Sequence, residues 1–240
     1  MTDRKQLFTE SLFEIARGNP GRVAVPAADN AEALEGIAMA VADGVLSGGT
    51  LIGAPDPIRR VAAEVGLPLD RFTIVDEPDW DEAAELAVSL VASHEADFLL
   101  KGQLGTKNYL KPVLNKKYGL VPEGGMLSHV AMAMMPTYHK PLFFADAAIA
   151  ISPDAATKAS IVRNTVDVAH RVGIAEPLVA MVAAVEKVNP KMQSTVDAAD
   201  VVKMAQEGAI PGCVVEGPYD LYIATSMEAA EIKGVSGKVC

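Results

Sequence analysis

The residues able to do chemistry in this chain gather just after runs of aliphatic residues. Lys101, Gly102 and Thr106 follow Phe98-Leu99-Leu100, and Asp146 follows the run 141–145. Glu186, Asn189, Ser194 and Thr195 follow the run 177–185, and Pro218 and Asp220 come after 212–217. Glycine lets a backbone approach an anion, a threonine at a helix start offers a hydroxyl beside free N–H groups, and lysine supplies charge. Such a set fits the binding of a small anion, with Asp220 as a lone carboxylate beside it. Each residue also has an ordinary reading. Thr106, Ser194 and Thr195 fit helix caps, Asp146 and Asn189-Pro190 fit turns, and Asp220 fits a turn after Gly217-Pro218. Taken together, their placement favours a site.

The segment 98–122 sharpens that expectation. It holds five lysines (Lys101, Lys107, Lys111, Lys116 and Lys117) and no Asp or Glu, in a chain of net charge −10. That pattern fits either a local anion site or a solvated basic face. Other chemistries find no support. There is no G-x-x-x-x-G-K-[ST] and no G-x-G-x-x-G between a strand and a helix. Ser128 adjoins His129, but neighbours on a strand point to opposite faces, and G-x-S-x-G is absent. The histidines at 94, 129, 139 and 170 have no metal-ligand spacing among themselves or with the cysteines, so no metal is expected.

The elements that must position these residues alternate along the chain. The runs 22–27, 50–54, 71–76 and 96–102 read as strands; amphipathic stretches between the first three, and between 76 and 96, read as helices. Asp29 or Asn30 is placed to cap the first of these helices, and Pro57 to open the next. Continuous rather than alternating apolar strands imply a parallel sheet covered by helices on both faces. The runs 126–136 and 140–149 lie too close for a helical crossover and read as an antiparallel pair. Alternation resumes with a helix over 154–171, a strand over 177–185, a helix over 195–207, a strand over 212–217 and a helix over 223–233. The change of connection style divides the chain into domains 1–124 and 125–240.

Composition sets the outer bounds. Half of the 240 residues are hydrophobic but only 5% are aromatic, so the core is mostly aliphatic. The acidic balance argues against a nucleic acid partner, and no apolar run is long enough to span a bilayer. Two cysteines, Cys213 and Cys240, with no signal-peptide core, point to the cytoplasm. Met-rich runs such as VAMAMMP fit an acyl pocket or plain core packing.

Five segments resemble one family: KGQLGT (101–106), LSHVAM (127–132), the stretch 145–174, VAMVAAVEKVNPKMQSTVDA (179–198) and EGPYDLYIATSMEAAEIKG (216–234). They run in the order and spacing of the phosphate acetyl/butyryltransferases, most like the butyryl branch. The resemblance implies an α/β fold of mostly parallel sheets, with the two-domain phosphotransacetylase-like (isopropylmalate-dehydrogenase-like) architecture and a cleft between domains. It implies interconversion of acyl-CoA plus phosphate with acyl phosphate plus CoA, with coenzyme A as substrate and no cofactor. Homo-oligomers, or subunits of a larger complex, are implied as well. The substrate-binding set becomes Lys101, Gly102, Thr106, Lys111, Ser128, Asp146, Glu186, Asn189, Ser194, Thr195 and Gly217, with Asp220 as the catalytic acid.

Four departures stand against the family pattern. Members carry an acid five residues after the glycine of Gly-Pro, where this chain has Tyr222; Asp220 lies two residues earlier. On a strand that shift keeps the face but moves the carboxylate by roughly 6–7 Å; in a helix it changes the face as well. Lys111 stands where an arginine is usual, losing the bidentate fork for phosphate, and Pro112 beside it is expected to shift the helix start. Gly125 and Met126 precede Leu-Ser-His where basic residues are usual. The family also continues past the position of Cys240 with roughly two more β/α units, including a Ser-Arg stretch and the return to the first domain. These departures leave open a non-catalytic relative that binds CoA or phosphate, or a subunit completed by a partner chain.

Overall fold

The computed structural model describes residues 4–235 and divides into two compact units, Met1–Gly125 and Met126–Cys240. The first unit runs α1 (Arg4–Gly18), β1 (Gly21–Pro26), α2 (Ala31–Ala42), β2 (Leu46–Gly53), α3 (Pro55–Val65), β3 (Phe72–Asp76), α4 (Trp80–Ala92), β4 (Phe98–Leu99) and α5 (Thr106–Val113). Its four strands are all parallel, in the order β3-β2-β1-β4. Alternate residues feed two cores, as a sheet covered on both faces requires. Val23, Val25 and Leu51 pack with Leu34, Ile37, Ile58 and Val61 of α2 and α3. Ala24 and Ile52 face the other way, onto Ala83 and Ala87 of α4.

Caps settle where the helices begin. Asn30, not Asp29, caps α2, with the Ala33 N–H donating to its Oδ1 at 2.8 Å. The α3 helix starts two residues earlier than Pro57 implies: Pro55 takes the first position, where its missing N–H is not needed. Pro112 falls in the last turn of α5 and leaves the start at Thr106 in place.

The second unit opens with β5 (Val130–Ala133) and β6 (Leu142–Ala145), an antiparallel pair with Val130 opposite Ala145. It continues with α6 (Ala155–Arg171), β7 (Leu178–Val182), α7 (Gln193–Gln206), β8 (Val214–Tyr219), α8 (Leu221–Thr225) and α9 (Met227–Ile232). β7 and β8 are parallel, and Val162, Val166, Val201, Ile210 and Val215 form the core beneath them. The single helix expected over 223–233 is two short ones, because Ser226 adopts an extended backbone and its hydroxyl caps α9 at Ala229. Among the described residues no helix is long and apolar enough to cross a membrane. Cys213 is a free thiol; Cys240 and the final Ser-Gly-Lys-Val lie outside the described residues.

Candidate active site

In the first unit, the loop after β4 is fixed to the end of β1. The Gly102 N–H donates to the Pro26 carbonyl at 3.2 Å and the Gln103 N–H to that of Ala27 at 2.9 Å. A Cβ at Gly102 would lie 2.0 Å from the Ala27 oxygen, so only glycine lets the two segments approach this closely. Lys101 is exposed, and its ammonium has no partner among the described residues. Gly105 precedes α5 without a side-chain cap, which leaves Thr106 exposed at the first helical position.

The rest of the basic segment is partly neutralised by α4. Lys111 Nζ is 3.4 Å from Asp81 Oδ2, and Asn108 donates to the other Asp81 oxygen at 2.6 Å. Asn108 first, and then Lys111, hold the Asp81 carboxyl below its usual range. Lys117 lies 3.2 Å from Glu85, which also accepts from the Tyr118 hydroxyl. The signal for this was present in the helix WDEAAELAVSLVA, whose Asp81 and Glu85, four apart, share a face.

In the second unit, Ser128 and Asp146 belong to the β5–β6 region. Ser128 Oγ accepts from Asn164 Nδ2 of α6 at 2.8 Å, and the same amide reaches the Met126 carbonyl at 3.1 Å. Asp146 is surrounded by backbone donors: the N–H groups of His129 (2.9 Å), Ala148 (2.8 Å) and Ile149 (2.9 Å). Burial opposes its ionisation, but those donors together outweigh burial and hold the carboxyl below the ordinary aspartate value. A carboxyl lowered by folding stabilises the fold fully above the unfolded value near 3.9, and that contribution is lost as pH falls through the folded value. Asp146→Asn is therefore expected to lower the urea midpoint at pH 7, since an amide cannot accept from all these donors. The gap to wild type should close on acidification below about pH 4; a gap that stays constant from pH 7 to pH 3 would refute this account.

The remaining candidates lie at the C-terminal end of the parallel β7–β8 pair. Gly217 sits opposite Met181 with φ +144°, and a Cβ there would meet the Met181 oxygen at 2.7 Å. The loop after β7 is fixed to α7 through Thr195, which is fully buried. The Asn189 N–H donates to its Oγ1 at 2.8 Å, and the hydroxyl donates to the Met192 carbonyl at 2.8 Å, with the Asn189 carbonyl at 3.1 Å. Met192 precedes α7 and gives no side-chain cap, so Ser194, half-buried, stands in an uncapped first turn. β8 has ended before Asp220, whose Oδ1 accepts from the Ile223 N–H at 2.8 Å and caps α8. Tyr222 therefore lies inside α8, 65% exposed, on a different face from the carboxylate of Asp220.

Glu186 completes this group. Lys233 Nζ lies 3.1 Å from its Oε1. The Glu186 backbone N–H first, and then Lys233, hold that carboxyl below the usual glutamate value, against burial and the negative charge of Asp220. Glu186 and Lys233 are thus an ion pair beside the end of β8, where Asp220 stands. Sequence reading missed Lys233. It also missed the pair beneath α7, where Lys158 Nζ contacts Asp197 Oδ2 at 2.5 Å and Gln193 Nε2 donates to Oδ1 at 2.8 Å. Among the described residues no cluster of His, Cys, Asp and Glu could hold a metal ion.

Comparison with known proteins gives this geometry a family. The family model described as phosphate acetyl/butaryl transferase matches residues 79–240. The phosphate butyryltransferase of Clostridium acetobutylicum is 41% identical over 232 residues, covering 97% of this chain and 76% of that protein. The phosphate acetyltransferase of Thermotoga maritima is 37% identical over 233 residues, covering 97% and 78%. The crystal structure of a branched-chain phosphotransacylase from Enterococcus faecalis matches with a TM-score of 0.77 at 31% identity, covering 91% of this chain and 75% of that one. This chain spans about three-quarters of the length of these relatives. On this similarity in both sequence and fold, it belongs to the phosphate acetyl/butaryl transferase family.

Proposed function

We propose that the protein interconverts acyl-CoA plus phosphate with acyl phosphate plus CoA, for short acyl chains. The observation that carries this reading is the 41% identity to a phosphate butyryltransferase across 97% of the chain. In the direction of thioester formation, the CoA thiol gives its proton to a base and the thiolate attacks the acyl carbon. The carbon–oxygen bond to phosphate then breaks, and phosphate leaves with the electron pair. Asp220 is the base in this reading: one oxygen caps α8, and the other has no partner among the described residues. In this reading Ser194 and the uncapped start of α7 serve the charge that develops. Lys101 offers a free ammonium for a phosphate group. Gly102, Gly217, Thr195 and Asp146 hold the loops, and Ser128 has its own O–H available after accepting from Asn164. The protein acts in the cytoplasm, as a homo-oligomer or as a subunit of a larger complex.

A second reading has specific support. Asp220 is engaged as a cap, Tyr222 takes the place of the family acid, and Lys111 is paired with Asp81. These features fit a CoA- or phosphate-binding relative without turnover, or a subunit completed by a partner chain.

One substitution separates base from cap. Asparagine caps a helix about as well as aspartate, so Asp220→Asn keeps α8 in place while removing the base. Thiol release from acetyl-, butyryl- and branched acyl-CoA with phosphate should fall by about 10²–10³ or more, judged by the loss of one positioned group, with the melting temperature unchanged. Turnover equal to wild type in Asp220→Asn would remove Asp220 from the chemistry. No turnover in the wild type, with coenzyme A still bound, would favour the second reading.

A further inference from the structure

We propose that Lys233 is a substrate-contacting residue, a cation that receives the phosphate group at the β7–β8 end beside the part played by Lys101; this rests on the transferase reading above. The argument starts from charge. Two carboxylates, Glu186 and Asp220, follow the paired strands β7 and β8, and an incoming phosphate adds nearly two negative charges. An anion enters such a place only beside a cation. Lys233 is the ammonium located there, 3.1 Å from Glu186 Oε1. Lys187 adjoins Glu186 in sequence but is exposed and forms no ion pair among the described residues.

The geometry suits an exchange of partners. The Lys233 side chain is 57% exposed, and that of Glu186 only 23%. One face of the ammonium is therefore on the carboxylate while the other is open, and an ammonium has three donors to distribute. An ion pair this exposed contributes little to stability. Its place at the β7–β8 end suits a ligand that replaces Glu186 as partner. Glu186 thus parks the lysine in the free protein and competes with phosphate for it.

Competition predicts opposite signs for the two partners. Lys233→Met should raise the KM for phosphate and for acyl phosphate by about tenfold or more, as expected for loss of one charge-assisted contact, with kcat changed much less. Lys233→Arg should restore most of the affinity. Glu186→Gln should lower the phosphate KM, because the rival for Lys233 is gone. A purely structural role would move both KM values the same way and shift the melting temperature. The same variants are titrated with inorganic phosphate, followed by phosphorus NMR. If the wild type binds phosphate without turnover, the transferase reading falls while loss of binding in Lys233→Met still supports this one. Unchanged phosphate affinity in Lys233→Met, equal directions for the two variants, or no phosphate binding by the wild type overturns the proposal.

Discussion

Lys158→Met is expected to destabilise the protein by about 3 kcal/mol, the lower end for breaking a buried ion pair. Asp197 is only 5% exposed, and its partner's side chain 25%. Removing the lysine leaves a carboxylate in the interior with, among the described residues, the Gln193 amide as its one remaining hydrogen-bond donor. The charge, not the lost contact, makes the effect large. Replacing both residues, as Lys158→Met with Asp197→Leu, should recover most of the loss, because no uncompensated charge remains. The pair also carries a pH signature. Lys158 first, and then Gln193, hold the Asp197 carboxyl below its ordinary value. Its contribution is complete above an unfolded value near 3.9 and is lost as pH falls through the lower folded value. The penalty of Lys158→Met, read from urea midpoints, should accordingly shrink in acid. A double variant less stable than Lys158→Met alone would contradict the buried-charge account.

That pair ties α6 to the first turns of α7, where Ser194 and Thr195 stand. None of this was legible in the sequence. Lys158 and Asp197 are 39 residues apart, and each sits on its own helix with an ordinary charged neighbourhood. Lys111 and Asp81 also pair across 30 residues, but there Asp81 and Glu85 on one face of α4 gave half of the signal. What was legible is what short-range pattern controls. Continuous aliphatic runs gave a parallel sheet whose alternate residues feed two cores, and the short gap before Lys140 gave the antiparallel β5–β6 pair. The place of candidate residues beyond strand ends was also readable, since it follows from chain order in an open α/β sheet. The partners of each side chain were not. Asp146 fits either a site or a turn in sequence, and only the structure shows its carboxylate accepting from the backbone of its own turn and of His129. Ser226 reads as an interior helix residue, yet its competition for a backbone N–H splits the helix in two.

Gly102→Ala is expected to cost about 3 kcal/mol or more, the upper end for overpacking, or to prevent folding. The added methyl would stand 2.0 Å from the Ala27 oxygen and 2.4 Å from that of Pro26. Both obstacles are backbone atoms. They can yield only if the end of β1 moves, and β1 lies between β2 and β4. The same displacement would break the Gly102 N–H bond to Pro26 and carry Lys101 and Thr106 with it. Gly36, inside α2, is the matched control: a methyl there meets nothing within 4 Å. Gly36→Ala should leave stability unchanged or raise it by up to about 1 kcal/mol, through helix propensity. The comparison also decides why glycine stands at 102. If its purpose were only to admit an anion, alanine would weaken phosphate binding and leave the urea midpoint where it was. If the close approach to β1 is the reason, stability and activity fall together while Gly36→Ala keeps both. A Gly102→Ala protein within about 1 kcal/mol of wild type would therefore return this residue to the ligand.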